Sequence, residues 1–232
     1  MKSRLSTGIF LAISIWAGVA HAGIVVGGTR VVYNADKRET SLSISNPDKI
    51  PYLIQSWADA DGPLGDHTEN PKPPFVVTPP LFRLDPGNEN LLRIIRAGGT
   101  LPEDRESVFW MNVKSIPSTS RTDKNVLQIS VKTRIKLFYR PANLKTTPEE
   151  SYQAVSFHRQ GNQLQVSNPS PFYLSFFSLK VGNAPVITTN VMVPPKSNVA
   201  YPMPSAASGQ VVSWQVINDF GGNSKTITSP LN

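Results

Sequence analysis

The side chains that could carry out catalysis or bind a metal are few in this chain and widely spaced. It has no cysteine and three histidines, of which His67 lies in a proline-rich loop and His158 at a predicted strand end. Neither has a second ligand at a spacing that zinc sites use, and neither lies near a G-x-S-x-G nucleophile motif. We therefore interpret both as ordinary surface histidines.

Two other groups of residues could suggest a ligand site. Gly27-Gly28-Thr29 is glycine-rich, but a phosphate-binding loop needs a following Lys-Ser/Thr and a helix, and neither follows here. The carboxylates of Glu103, Asp104 and Glu106 could hold Ca²⁺ or act as an acid and base, yet Arg105 lies among them, which predicts a solvated turn or an ion pair. No nucleophile, base and oxyanion donor can be assembled, so the sequence predicts a protein that is not an enzyme and needs no cofactor or metal.

The longest element that could position a site is one alternating strand between Asn125 and Pro141, with the sequence N-V-L-Q-I-S-V-K-T-R-I-K-L-F-Y-R-P. Successive side chains of a strand point to opposite faces, so one face is apolar and the other is polar and basic. A strand from Val126 to Arg140 would span roughly 50 Å, whereas strands usually have only about 5 or 6 residues. The extra length indicates a second role besides core packing.

Periodicity leaves two interpretations of this strand open. As an edge strand it would expose backbone groups and the side chains of Leu127, Ile129 and Val131, forming a template for pairing with another chain. As a central strand it would bury its whole apolar face.

Composition limits the class of protein. The chain has 232 residues with 21 Pro and 15 Gly, which favours turns and strands over long helices. Lys2 and Arg4 precede an apolar run that ends at Ala20-His21-Ala22, so residues 1–22 are predicted to be a cleaved secretion signal. No later segment has 18 consecutive apolar residues, which predicts a mature chain that is not embedded in a membrane. Basic residues never form a run, so we do not expect nucleic-acid binding.

Short alternating runs separated by turn residues continue along the whole mature chain, among them Ile24 to Tyr33 and Val186 to Val193. They predict an all-β protein of two immunoglobulin-like sandwiches, at residues 23–140 and 151–232, joined by a linker at 141–150.

Four motifs resemble the periplasmic chaperones of the chaperone–usher pilus pathway. They are the long strand above, P-Y-L-I-Q-S-W from Pro51, V-T-P-P-L-F-R-L from Val77 and L-P-E-D-R-E-S-V-F-W-M-N-V from Leu101, and I-N-D-F-G-G from Ile217 extends the likeness. The resemblance implies an L-shaped pair of immunoglobulin-like domains. It also implies binding of pilus subunits by strand addition, and delivery to an outer-membrane usher.

The resemblance assigns roles to particular residues. Leu127, Ile129 and Val131 match the alternating donor residues that enter the open groove of a subunit. Arg30 and Lys136 match two cleft bases that hold the subunit's C-terminal carboxylate. Because Lys136 is on the even-numbered face and the donors are on the odd-numbered face, we expect a twist, bend or bulge between the two sites.

Glu106, Arg140 and Asp219 match a charged set across the domain interface that would orient the domains. An exposed ion pair of this kind contributes only about 0 to 1 kcal/mol. The short segment from Pro117 to Asn125 matches the short-loop branch of the family, whereas the loop from Asp61 to Pro74 is a departure from the pattern.

The leading hypothesis is therefore a non-enzymatic periplasmic chaperone for fimbrial subunits, which could self-associate through its edge strand when no subunit is bound. One alternative is a secreted carbohydrate-binding or adhesin sandwich, which would need an exposed aromatic platform. The other is a periplasmic hydrolase, whose turnover would depend on His67 or His158.

Overall fold

The computed structural model describes residues 23–65, 72–119, 125–207 and 209–232. The strands of the first part are β1 (Val25–Val26), β2 (Arg30–Asn34), β3 (Glu39–Ser45), β4 (Tyr52–Asp59), β5 (Phe75–Thr78), β6 (Leu81–Leu84), β7 (Glu89–Arg96), β8 (Ser107–Pro117) and β9 (Val131–Arg140). They form one sheet in the order β1-β3-β7-β5 and a second in the order β2-β9-β8-β4-β6. All neighbours are antiparallel except β2 and β9, which run parallel.

Alternate side chains of both sheets meet in one hydrophobic core. The odd-numbered residues Ile135, Leu137 and Tyr139 of β9 are buried there, and Met111 and Val113 of β8 lie in the same cluster. Each fully buried aliphatic side chain of this kind stabilises the fold by roughly 1.5 to 3 kcal/mol. The apolar face predicted for the long strand is therefore a core face over its second half.

The first predicted strand, Ile24 to Tyr33, is wrong as a single element, because the chain changes sheets within it. β1 pairs with β3 in one sheet, and β2 pairs with β9 in the other. Gly27 still pairs with β3, because its backbone N–H donates to the carbonyl oxygen of Ser43 at 2.9 Å. A Cβ atom at this position would lie 2.0 Å from Ser43 Oγ, a close approach that favours glycine. The change of sheets falls between Gly27 and Arg30, the first residue of β2.

A second sandwich follows, with its own core. Its elements are α1 (Pro148–Ser151), β10 (Ser156–Gln160), β11 (Gln163–Asn168), β12 (Phe176–Val181), β13 (Ala184–Pro185), β14 (Ser197–Pro202), β15 (Val211–Val216) and β16 (Ile227–Pro230). The sheets have the orders β10-β11-β14 and β13-β12-β15-β16, and the prediction of an all-β, two-sandwich fold is confirmed. The helix α1 begins inside the predicted linker, where Thr147 and Glu150 cap it reciprocally and Pro148 opens it.

Other sequence predictions need correction. The run from Val186 to Val193 is not a strand: it makes an isolated bridge between Val193 and Leu174, and Ile187 is 79% exposed. Conversely, β6 was not predicted. Among the described residues no helix is long and apolar enough to cross a membrane. The predicted secretion signal, residues 1–22, lies outside the described residues.

Candidate functional site

The first half of β9 is an open sheet edge. β8 pairs with β9 from Val131 to Tyr139, whereas β2 pairs with it only from Lys136 onward, where Arg30 is the partner. The backbone of Val131–Ile135 therefore has a neighbouring strand on one side only, within the described parts of the chain. Residues 125–130 precede this edge and lie outside any strand, so the strand predicted from Val126 starts five residues later in the structure.

The apolar side chains at this edge are exposed to solvent. Leu127 is 86% exposed, Ile129 66% and Val131 56%, in contrast to the buried Ile135 and Leu137 farther along the same face. The interpretation as a wholly buried central strand is therefore wrong for residues 127–131, whereas from Lys136 onward β9 has a neighbour on both sides and its apolar face is buried. The apolar stripe of β9 leaves the core and continues along an unpaired edge.

The predicted basic pair lies where the open edge ends. Arg30 and Lys136 are direct neighbours on the parallel strands β2 and β9. Lys136 Nζ donates to Ser175 Oγ at 3.0 Å, and Arg30 Nη1 donates to the carbonyl oxygen of Ile217 at 3.0 Å. Both acceptors belong to the second sandwich, so the two cations lie between the domains.

Burial perturbs both cations of this pair. Desolvation, with a smaller contribution from the charge of Arg30, lowers the pKa of Lys136 to about 8. Desolvation also lowers the pKa of Arg30, against the opposing charge of Asp219. The Nε atom of Arg30 is buried and has no hydrogen-bond partner among the described residues. Two incompletely compensated cations in a partly dry site are suited to binding an anion.

A cleft of about 400 Å³ opens beside Lys136. One wall comes from the first domain and includes Pro63, Trp110 and Arg134, and the other includes Phe177 and the segment 188–191 of the second domain. Residues 188–191, which lie within the run wrongly predicted as a strand, thus form part of a cleft wall. The cleft is large enough for a chain terminus, with a cation at one side.

A neighbouring ion pair was missed by sequence reasoning. Arg134 on β9 donates to both carboxylate oxygens of Asp59, at 2.5 and 2.7 Å, and to Asn112 Oδ1 at 2.7 Å. It also donates to the carbonyl oxygen of Gly62, and its guanidinium lies 5.1 Å from the ring centre of Trp110. No local motif signals this network, because Asp59 and Arg134 are 75 residues apart.

Arg140 connects the predicted charged set across the domain interface. Its Nε donates to Glu106 Oε1 at 2.8 Å, and its two terminal nitrogens donate to the two oxygens of Asp219 at 2.6 and 2.9 Å. The other oxygen of Glu106 accepts from the backbone N–H of Tyr173 at 2.8 Å. The expectation of an exposed set is wrong for Glu106, whose side chain is 3% exposed, whereas that of Asp219 is 31% exposed.

Burial raises the pKa of Glu106, although the charge of Arg140 opposes that rise. A second interdomain contact accounts for the acidic cluster before β8. Asp104 pairs with Arg105 beside it and with Lys196 of the second domain at 2.6 Å. The interpretation of this cluster as an ion pair fits the structure.

Comparison with known proteins then decides the family. Residues 23–145 match the model described as "Pili and flagellar-assembly chaperone, PapD N-terminal domain", and residues 150–228 match the C-terminal domain of the pili assembly chaperone PapD. This chain belongs to the pilus-assembly chaperone family. The family is non-enzymatic, in agreement with the prediction from the sequence.

Individual relatives of this chaperone agree along the whole chain. The probable fimbrial chaperone LpfB of Escherichia coli O157:H7 is 43% identical, covering 98% of this chain and 97% of its own. The chaperone FimC of Escherichia coli K12 is 40% identical, and the match covers 96% of this chain and 90% of FimC. Among solved structures, one chain of the Salmonella enterica SafA pilin–SafB chaperone complex has a TM-score of 0.81 and 37% identity, covering 91% of this chain and 97% of its own. The Escherichia coli chaperone DraB has a TM-score of 0.78 and 41% identity, covering 90% and 96%.

The two alternative functions find no support in this chaperone. His158 is exposed on β10, and His67 lies outside the described residues. The described residues contain no group of three or more His, Asp or Glu side chains arranged to hold a metal. A carbohydrate platform would need exposed aromatic side chains, but many of those in the two domains are buried, among them Phe109, Trp110, Phe138, Tyr139, Phe172, Phe176 and Trp214.

Proposed function

We propose that this chaperone captures fimbrial subunits in the periplasm by lending them the open edge of β9, and that it delivers the capped subunits to an outer-membrane usher. The observation that carries this proposal is the exposed apolar stripe of Leu127, Ile129 and Val131, which leads into the open edge of β9. An extended chain can hydrogen-bond to such an edge while the alternate side chains fill pockets of the partner. Each side chain so buried contributes roughly 1.5 to 3 kcal/mol.

The basic pair supplies the second half of the mechanism. Arg30 and Lys136 lie where the open edge meets β2, and they would bind the C-terminal carboxylate of the subunit. A subunit strand that ends at Lys136 after passing residues 127–131 runs parallel to β9. Charge-assisted hydrogen bonds to the carboxylate would therefore set the register of the added strand.

The remaining parts of the proposal rest on the predicted secretion signal and on family membership. Export would remove residues 1–22 and leave Gly23 as the first residue. The mature chaperone would bind subunits as they enter the periplasm, without nucleotide or metal. In their absence the open edge could pair with a second copy of itself, because unpaired strands with apolar side chains associate readily.

Replacement of Ile129 by Lys tests the donor strand. Its side chain is 66% exposed, so the variant should fold, whereas a charge forced into an apolar subunit pocket should prevent capture. The measurement is co-purification of a fimbrial subunit from periplasmic extract with the parent chain and the variant. Leu91→Lys is the control, because Leu91 is 54% exposed on β7, in the other sheet. This variant should capture the subunit normally. Normal capture by Ile129→Lys, with a folded circular dichroism spectrum, would contradict the donor assignment.

The same assay tests the anchor. Arg30→Ala and Lys136→Ala should each lose nearly all of the complex, and the double variant should be little worse, because both cations bind one carboxylate and their effects are coupled. Adding a few residues to the C-terminus of the subunit moves the carboxylate and should reproduce the loss. Capture of the extended subunit by the parent chain at the normal level would disprove the anchor.

A further inference from the structure

Three basic side chains occupy the even-numbered face of β9, namely Lys132, Arg134 and Lys136. Neighbours in this row are two residues apart, which corresponds to roughly 6.6 Å along a strand. Arg134 and Lys136 both line the cleft between the domains. A carboxylate entering this cleft therefore meets two cationic positions separated by one repeat of the strand.

The two positions differ in how their charge is compensated. Arg134 makes a bidentate ion pair with Asp59, and the side chains of the two residues are 9% and 14% exposed, respectively. Although burial by itself would raise the pKa of Asp59, hydrogen bonds from Arg134 leave that pKa below its ordinary value, so the carboxylate remains ionised. Lys136 instead contacts the neutral hydroxyl of Ser175. Of the two cleft cations, only Lys136 is left to bind an external anion.

This difference matters because a strand can slip in two ways. A slip of one residue turns every side chain to the opposite face and is opposed by the apolar pattern. A slip of two residues keeps Leu127, Ile129 and Val131 on the correct face but moves each to the next pocket. The alternation of faces does not oppose such a slip, and only the fit of each side chain to its pocket does, so the position of the carboxylate is needed as a second determinant of the register.

We propose that Asp59 is a positioning residue that fixes the register of the added strand. By neutralising Arg134, it removes a second carboxylate site two residues before Lys136 and leaves one position at which the subunit's terminus can bind. This inference rests on the proposed function, because it assumes capture by strand addition with an anchored carboxylate. It assigns a role in specificity to Asp59, which does not contact the subunit itself and acts through Arg134.

The test uses a subunit shortened by two residues at its C-terminus. In the normal register the terminus of this subunit lies beside Arg134, because the added strand runs parallel to β9. The parent chain can bind this terminus only at Lys136, after a slip of two residues that places each donor side chain in the wrong pocket, so it should retain much less of the shortened subunit than of the full-length one. Asp59→Asn should retain the shortened subunit about tenfold more than the parent does, because a charge-assisted hydrogen bond of this kind changes binding by a factor of ten or more. The probe is the fimbrial subunit that co-purifies with the parent chain, with its natural or its shortened terminus.

Three controls separate this gain from a change in stability. Asp85→Asn breaks the exposed ion pair with Arg83 and should behave as the parent does with both subunits. Adding Arg134→Gln to Asp59→Asn should abolish the gain. Asp59→Ser removes the same charge with a smaller side chain and should reproduce the gain; failure of both Asp59 variants to fold would make Asp59 a structural residue and overturn the proposal.

The outcomes also distinguish this inference from the proposed function. If Lys136→Ala captures the full-length subunit as well as the parent does, the carboxylate anchor is wrong and the inference falls with it. If Lys136→Ala loses capture while folded Asp59→Asn still rejects the shortened subunit, the anchor stands and only the role of Asp59 is wrong.

Discussion

Replacing Glu106 by Gln should weaken the contact between the two domains more than replacing Asp219 by Asn. Both carboxylates bind Arg140, but Glu106 is almost completely buried and also accepts a hydrogen bond from the backbone of Tyr173 in the second domain. The backbone N–H of Glu106 donates to the carbonyl oxygen of Pro171, also in the second domain, at 2.8 Å. Loss of the Glu106 charge leaves Arg140, whose side chain is only 16% exposed, partly uncompensated.

The expected magnitudes follow from these exposures. Removing one partner of a buried ion pair costs about 3 to 5 kcal/mol. The remaining pair with Asp219, and the burial that disfavours the charge of Glu106 and raises its pKa, should reduce the cost of Glu106→Gln to about 2 kcal/mol. Asp219 is one-third exposed, so Asp219→Asn should cost about 1 kcal/mol. Arg140 also lies 5.1 Å from the ring centre of Phe172, and that contact survives both substitutions.

Urea unfolding followed by tryptophan fluorescence measures the cost, because Trp110 belongs to the first sandwich and Trp214 to the second. Calorimetry shows whether the domains unfold together or in two steps, and small-angle scattering reports their relative orientation. Glu39→Gln, which breaks an exposed ion pair with Arg93 on the surface of the first sandwich, should leave the transition midpoint unchanged. Equal costs for Glu106→Gln and Asp219→Asn would refute the argument that burial makes the contact of Glu106 the stronger one.

Two further predictions concern β9. Raising the pH from 7 to 9.5 should weaken subunit capture, because Lys136, with a pKa of about 8, loses its charge. Over about pH 8 to 10.5 the free chain should become more stable, since the unfolded chain then binds more protons than the folded chain does. Comparison with Lys136→Met isolates the contribution of Lys136 to both effects. Leu137→Ala should cost about 2 to 5 kcal/mol in urea unfolding because Leu137 is fully buried, whereas Leu127→Ala should leave stability unchanged and reduce capture; equal stability losses would contradict the division of β9 into core and donor halves.

The alternating pattern was sufficient to predict the two faces of β9 and the all-β class. It could not show where β2, the second neighbour of β9, begins. That depends on where the chain leaves β3, with which Gly27 still pairs through Ser43. For the same reason the sequence could not decide between an edge strand and a central strand. Both interpretations are correct for different halves of one element.

The pairing of charges was harder to predict than the strands. Resemblance indicated Glu106, Arg140 and Asp219 as a set, but the burial of Glu106 depends on a backbone N–H of the second domain. Asp59 and Arg134 carry no local motif at all, and only the adjacency of β4, β8 and β9 brings them together. In the second domain, Val186 and Val193 are buried in the core, but residues 188–191 between them line a cleft. Alternation alone therefore wrongly predicted a strand.

The change of sheets between Gly27 and Arg30 also explains how donor and anchor residues on opposite faces can serve one ligand. No bulge interrupts the pairing of β8 with β9 from Val131 to Tyr139, so the expected bulge is not the explanation there. A terminal carboxylate belongs to the backbone and lies near the plane of the sheet, from which it can turn to either face. An added strand can extend along the open edge of β9 only until it meets the start of β2, and that start is Arg30, opposite Lys136. The steric end of the edge and the charge proposed to bind the terminus therefore coincide, because Arg30 is both the first residue of β2 and a member of the basic pair.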